Sequence, residues 1–150
     1  MDCRVFSSPC RVPVRQWVLS LPHALRYRLA YDAPMVTDVL GIFTRTVFAS
    51  LIRRAREFGA VRKAQCGAVT FIQRFGSALN LNLQLHALVM DGVYAADDDG
   101  LPQFQPLLAP DDEEVARVTA SLAERILALL RRRSLGPDSD PHERLRMQAR

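Results

Sequence analysis

Lysine is nearly missing from this sequence: Lys63 stands alone beside nineteen arginines. Anionic partners would therefore be gripped by planar guanidinium forks, which hold phosphate at two points, rather than by ammonium charges. A GC-rich coding sequence would give the same bias with no functional demand. Cysteine is scarce too. Cys3, Cys10 and Cys66 form an odd, scattered set, which does not suggest a disulfide framework. Cys3 and Cys10 have no His or Cys neighbours, so no zinc module is expected there. No apolar run looks long enough for a membrane span, and no basic start followed by an apolar block marks a leader. A membrane is therefore not an expected partner, and a reducing cytoplasm is the expected compartment.

What is present suits one folded domain. The chain has 150 residues, 49% of them hydrophobic, which is enough for a core. A formal charge of +4 permits a polyanionic partner without requiring one. Residues 1–13 are read as irregular, 14–133 as the domain, and 134–150 as a disordered tail. Val14–Ser20 alternates as a strand, with Val14, Gln16, Val18 and Ser20 on one side and Arg15, Trp17 and Leu19 on the other. Pro22 opens a short helical piece, His23–Ala30. Val36, Val39, Leu40, Phe43, Val47 and Leu51 recur at helical spacing in a helix predicted over Val36–Phe58. Gly67–Phe75 and Leu81–Met90 read as strands around the turn chemistry of Gly76, Ser77 and Asn80. The second is so apolar that both its faces are expected to be covered. A small hairpin over Val93–Ala95 and Gln103–Leu107 follows. A last helix starts at Asp111 with Glu114 at capping-box spacing, and carries Val115, Val118, Leu122, Ile126 and Leu129 as its stripe. The order predicts an α+β fold: an antiparallel sheet with helices on one face. Trp17, Phe43 and Phe71 are expected in the core.

Gln84 and His86 are the pair with chemical interest. Residues two apart on a strand leave the same face, roughly 7 Å apart, so both could lean toward one ion. Taken alone, His86 reads as a core histidine and Gln84 as an amide bonded to a neighbouring strand. Arg53, Arg54, Arg56, Arg62, Lys63 and Arg74 form a basic set that could track a DNA backbone. The arginines at the helix end also suit the negative end of the helix dipole.

Three blocks carry a resemblance: RQWVLSLPHALRYRLAYD (15–32), GAVTFIQRFGSALNLNLQLHALVMDGVY (67–94) and LALLRRR (127–133). Over about residues 12–133 the chain resembles the transposases of single-strand, rolling-circle insertion sequences, the HUH-type tyrosine transposases. The resemblance implies a ferredoxin-like or RRM-like palm, incomplete here. It also implies metal-assisted cutting and rejoining of single-stranded DNA through a tyrosine. The family's histidine–hydrophobe–histidine motif falls on Gln84-Leu85-His86, so Gln84 and His86 would be the ligands of a divalent ion, magnesium or manganese. Glutamine replaces the first histidine, which weakens the implied site. The family's nucleophilic tyrosine lies downstream, and no tyrosine follows Arg133. The chain is therefore expected to be a transposase fragment with no catalytic residue of its own. Its implied partners are single-stranded DNA and an intact transposase. The alternatives are a non-catalytic single-stranded DNA-binding module and a decayed, inert remnant.

Overall fold

A computed structural model describes residues 12–57, 63–97, 99–133 and 146–149, the last without its side chains. In chain order the elements are β1 (Val14–Ser20), α1 (His23–Tyr31), α2 (Ala33–Glu57), β2 (Ala68–Phe75) and β3 (Leu81–Met90). Then come β4 (Gly92–Ala96), β5 (Pro102–Pro106), α3 (Asp112–Arg132) and β6 (Arg146–Ala149). The main sheet runs β2-β3-β1-β6, every neighbouring pair antiparallel. This is the β-α-β-β-α-β order of ferredoxin-like sheets, with the hairpin β4–β5 inserted before α3.

The strand β6 corrects one expectation, that residues 134–150 form a disordered tail. Arg146–Ala149 instead pairs along Trp17–Ser20 of β1 and supplies the fourth strand. A strand beside β1 takes up backbone groups that would otherwise form a bare sheet edge. The rest of that segment, residues 134–145 and 150, lies outside the described residues, as do residues 1–11 of the N-terminal piece.

Alternation places one face of the sheet inside. Trp17 and Leu19 of β1 and Leu83, Leu85, Ala87 and Val89 of β3 are all buried. They join Val39, Phe43, Val47 and Leu51 of α2 and Val118, Leu122 and Ile126 of α3 in one core. The helices thus cover one face, as the α+β reading required. The other face of β3 is only partly covered: Leu88 is exposed. That corrects the expectation of a strand buried on both sides.

Each helix start has a local cause. Asp32 Oδ1 accepts from the Met35 backbone N–H at 2.8 Å, so α2 begins before Val36, with Pro34 in its first turn. Asp111 Oδ1 likewise accepts from the Glu114 N–H at 2.8 Å. No apolar run was expected to be long enough for a membrane span, yet α2 is long and apolar enough to cross one. Half of its apolar window is buried inside the protein, as befits the central core helix. Between sheet and hairpin, Gly92 has no room for a side chain, since a Cβ would lie 2.3 Å from the Gln105 carbonyl oxygen. Arg15 locks the same corner with a bidentate pair to Asp91, at 2.9 and 2.8 Å.

The α2–α3 interface holds a polar knot. The buried Glu114 carboxylate accepts from the Ser50 hydroxyl and from the Arg53 guanidinium, with Arg117 3.5 Å away. Burial alone would push its pKa up. The Ser50 and Arg53 hydrogen bonds and the charges of Arg53 and Arg117 outweigh that and hold it below the ordinary carboxylate value. A carboxyl with a depressed native pKa stabilises the fold above its unfolded pKa, about 4.3, and that contribution is lost as pH falls through the native value. Glu114→Gln should cost about 1–2 kcal/mol at pH 7, a modest figure because Arg53 is more than a third exposed and solvent screens it. The gap between variant and parent in urea midpoint should close as pH drops from about 5 to below the depressed value. A gap that stays constant with pH would refute the charge-based account.

Candidate functional site: the open face of the sheet

The face turned away from the helices carries the residues of interest. On β3 it presents Gln84, His86 and Leu88. The register sets Ser20, Val18 and Gln16 of β1 beside them on one flank, and Gln73, Phe71 and Val69 of β2 on the other. Gln84 and His86 therefore do share a face, as strand parity required.

Each of the two is already engaged. Gln84 Nε2 donates to Ser20 Oγ at 3.2 Å. His86 is only 8% exposed. Its Nδ1 lies 2.9 Å from the Gln16 side-chain nitrogen, and Phe71 stacks on its ring, centroids 4.8 Å apart and planes within 7°. Its Nε2 is buried with no hydrogen-bond partner. Burial lowers the pKa of the imidazole below its ordinary value, so the ring is neutral at pH 7. With the Gln16 amide donating, Nδ1 accepts and the ring proton sits on the unpartnered Nε2. With that amide turned over, its oxygen accepts from Nδ1–H and Nε2 carries a free lone pair, the state a metal-ligating histidine needs.

These residues do not fit a resident magnesium or manganese ion. Such ions take about six hard oxygen ligands, with carboxylates prominent among them. Here one neutral amide is bonded to Ser20, and one neutral imidazole nitrogen is closed off from solvent. No group of three or more His, Cys, Asp or Glu that could hold a metal lies among the described residues. Cys66 adds no nucleophile, since burial pushes its thiol pKa up to about 11.

The basic set does not gather into one surface. Arg54 is buried and donates to the Leu108 carbonyl, so it is a structural residue and no candidate for phosphate contact. Arg53 is spent on Glu57 and Glu114. Arg74, at the end of β2, donates to the Ala30 carbonyl at 3.2 Å. Arg56 and Lys63 are exposed. Arg62 lies outside the described residues.

A family model described as "Putative transposase" matches residues 67–150, more than half of the chain. The chain belongs to that family. The match takes in β2, β3, the hairpin, α3 and β6, and so includes both Gln84 and His86. No curated protein and no solved structure matches the chain.

On this face of the transposase chain the sequence reading missed three participants: Gln16 and Ser20 of β1, which lie before the matched segment, and Phe71 of β2, which lies within it. Their parity was visible, since Gln16 and Ser20 alternate on one side of β1. Which residue of β3 each would face was not, because register is a long-range property. Phe71 was expected in the core. It is 45% exposed and forms a lid on His86. The three tyrosines also have places now. Tyr27 and Tyr31 sit exposed on α1, and Tyr94 packs against Phe104 within the hairpin.

Proposed function

We propose that this chain is the ferredoxin-like portion of an HUH-type, rolling-circle transposase, one that handles single-stranded DNA but does not cut it unaided. One observation carries the reading. Gln84 and His86, the positions matching the family's histidine pair, stand side by side on the open face of a central strand. In the parent reaction a tyrosine oxygen attacks phosphorus, and the bond from phosphorus to the leaving sugar oxygen breaks. None of the tyrosines described lies on β1, β2 or β3. Gln84 and His86 are committed to Ser20, Gln16 and Phe71, which supports a face that has exchanged ion binding for internal hydrogen bonding. The four-stranded sheet and continuous core support a folded DNA-binding module over a decayed remnant.

Incubating the full chain with labelled single-stranded or hairpin DNA and manganese tests this directly. The expected result is reversible retention of the single strand and no covalent protein–DNA band on a denaturing gel. A covalent adduct would overturn the proposed inactivity. Failure to retain single-stranded DNA at low salt would overturn the DNA reading itself.

A further inference from the structure

A groove at the β2–β3 turn end of the sheet, beside the start of β3, has the chemistry of a nucleotide site. It lies between α1 and the β2–β3 turn, with a volume of about 560 Å³. That is within the roughly 300–1,000 Å³ of small-ligand pockets. Three aromatic rings line it: Tyr27, Tyr31 and Phe75. None of them is spent on the core, and Tyr31 is 78% exposed. Tyr27 and Tyr31, one helical turn apart, hold their rings 5.2 Å from centre to centre. Arg26 adds a positive charge at a fixed place, because its guanidinium is tied to Asn82 Oδ1 at 2.8 Å and to the Leu21 carbonyl. Asn80 and Asn82 bring side-chain amides, and no acidic residue lines the groove.

The turn that forms one wall is held in shape by its own backbone. Gly76 N–H donates to the Asn80 carbonyl at 2.9 Å, and Leu79 N–H to the Gly76 carbonyl at 3.0 Å. Leu79 adopts φ +55°, a conformation uncommon for a leucine, and its side chain projects into solvent. An apolar side chain held outward by a tight turn, beside three unburied rings, is a costly surface for a structural role alone.

We propose that this groove binds unpaired bases of single-stranded DNA, stacking them on Tyr31 and Phe75 while Arg26 meets the backbone phosphate. The inference rests on the reading of the chain as part of a DNA-handling transposase. Every base has a π face that such rings can take, and the amides offer donors and acceptors to base edges. The absence of carboxylates and the fixed guanidinium favour an anionic ligand over a basic or apolar protein segment, and the three unburied rings favour one that carries bases over an acidic peptide. Bases within a duplex are already stacked on one another, so the site selects single strands.

The test is fluorescence anisotropy of labelled oligothymidine and of a duplex of equal length, with the full chain, in EDTA. The parent should bind the single strand more tightly than the duplex. Tyr31→Ala and Phe75→Ala should each weaken single-strand binding about ten-fold. Tyr31→Phe, which keeps the stacking surface, should bind as the parent does. Melting curves of all variants should match the parent, because both rings are exposed. Unchanged affinity in both alanine variants would overturn the groove assignment while leaving the proposed function standing. Duplex bound as tightly as single strand would also overturn it. No binding of oligothymidine by the parent would remove the site and the DNA reading together.

Discussion

Trp17→Ala is expected to lower the unfolding free energy by about 3–5 kcal/mol, measured from the shift of the urea midpoint at constant slope. Trp17 is 1% exposed, among the largest of the fully buried side chains. It sits mid-way along β1, a strand flanked on both sides by β3 and β6. Its Cα partner on β3 is Ala87, which has no side-chain bulk to move into the space left behind. The strand cannot slide inward either, because it is hydrogen-bonded along both edges. A large residual cavity follows, and the cost of such a substitution grows with that cavity. Against a total stability of about 5–15 kcal/mol for an ordinary domain, the loss is a large fraction. Phe71→Ala supplies the contrast. It truncates a ring of similar size on the opposite, open face, and should cost about 1 kcal/mol or less, since the stacked pair is its main contact. Equal costs for the two variants would mean that the inner and outer faces of the sheet have been assigned wrongly.

Much of this architecture was readable from spacing alone, because period is a local property. The alternation in Val14–Ser20 put Trp17 and Leu19 together, and the 3.6-residue stripe of α2 put Val39, Phe43 and Val47 together. The same stripe held a signal that was passed over. Val47, Leu51 and Arg54 continue one face, so Arg54 was destined for the interior, however well an arginine suits a helix end. Glu114 had capping-box spacing, and Asp111 does cap its N–H. Its carboxylate is drawn instead to Ser50 and Arg53 on another helix, which no local pattern announces. The strand Arg146–Ala149 alternates polar and apolar over only four residues, too few to stand out in a charged segment. It becomes a strand because β1 offers an edge, and that is visible only once the sheet exists. Phe71 stood in a run with Val69 and Gln73 on one side. The glutamine in that set already marked a face meeting water.

Gln84→His is expected to raise affinity for nickel or zinc roughly ten- to hundred-fold over the parent chain, measured by titration calorimetry near pH 7.5. The substitution places a second imidazole on the same face as His86, two residues away along β3. Imidazole suits these metals better than a neutral amide does, which is why nickel or zinc is the probe rather than magnesium. Two local interactions oppose binding. Ser20 loses the donor that Gln84 Nε2 gives it, a half-buried bond worth about 1 kcal/mol. His86 Nε2 is buried, so the ring must shift before it can meet an ion, and loosening its stack with Phe71 forfeits about 0.5–1.5 kcal/mol. The second is relieved by a neighbouring change. Phe71 lies on β2, whose outer side pairs with no other strand among the described residues, so truncating it leaves the core intact. The double variant Gln84→His, Phe71→Ala should therefore bind about two- to ten-fold more tightly than Gln84→His alone. His86→Ala in the Gln84→His background should return the affinity to that of the parent. An affinity that rises equally with and without His86 would show that the two positions do not converge on one ion, and the parentage inferred from this face would lose its support.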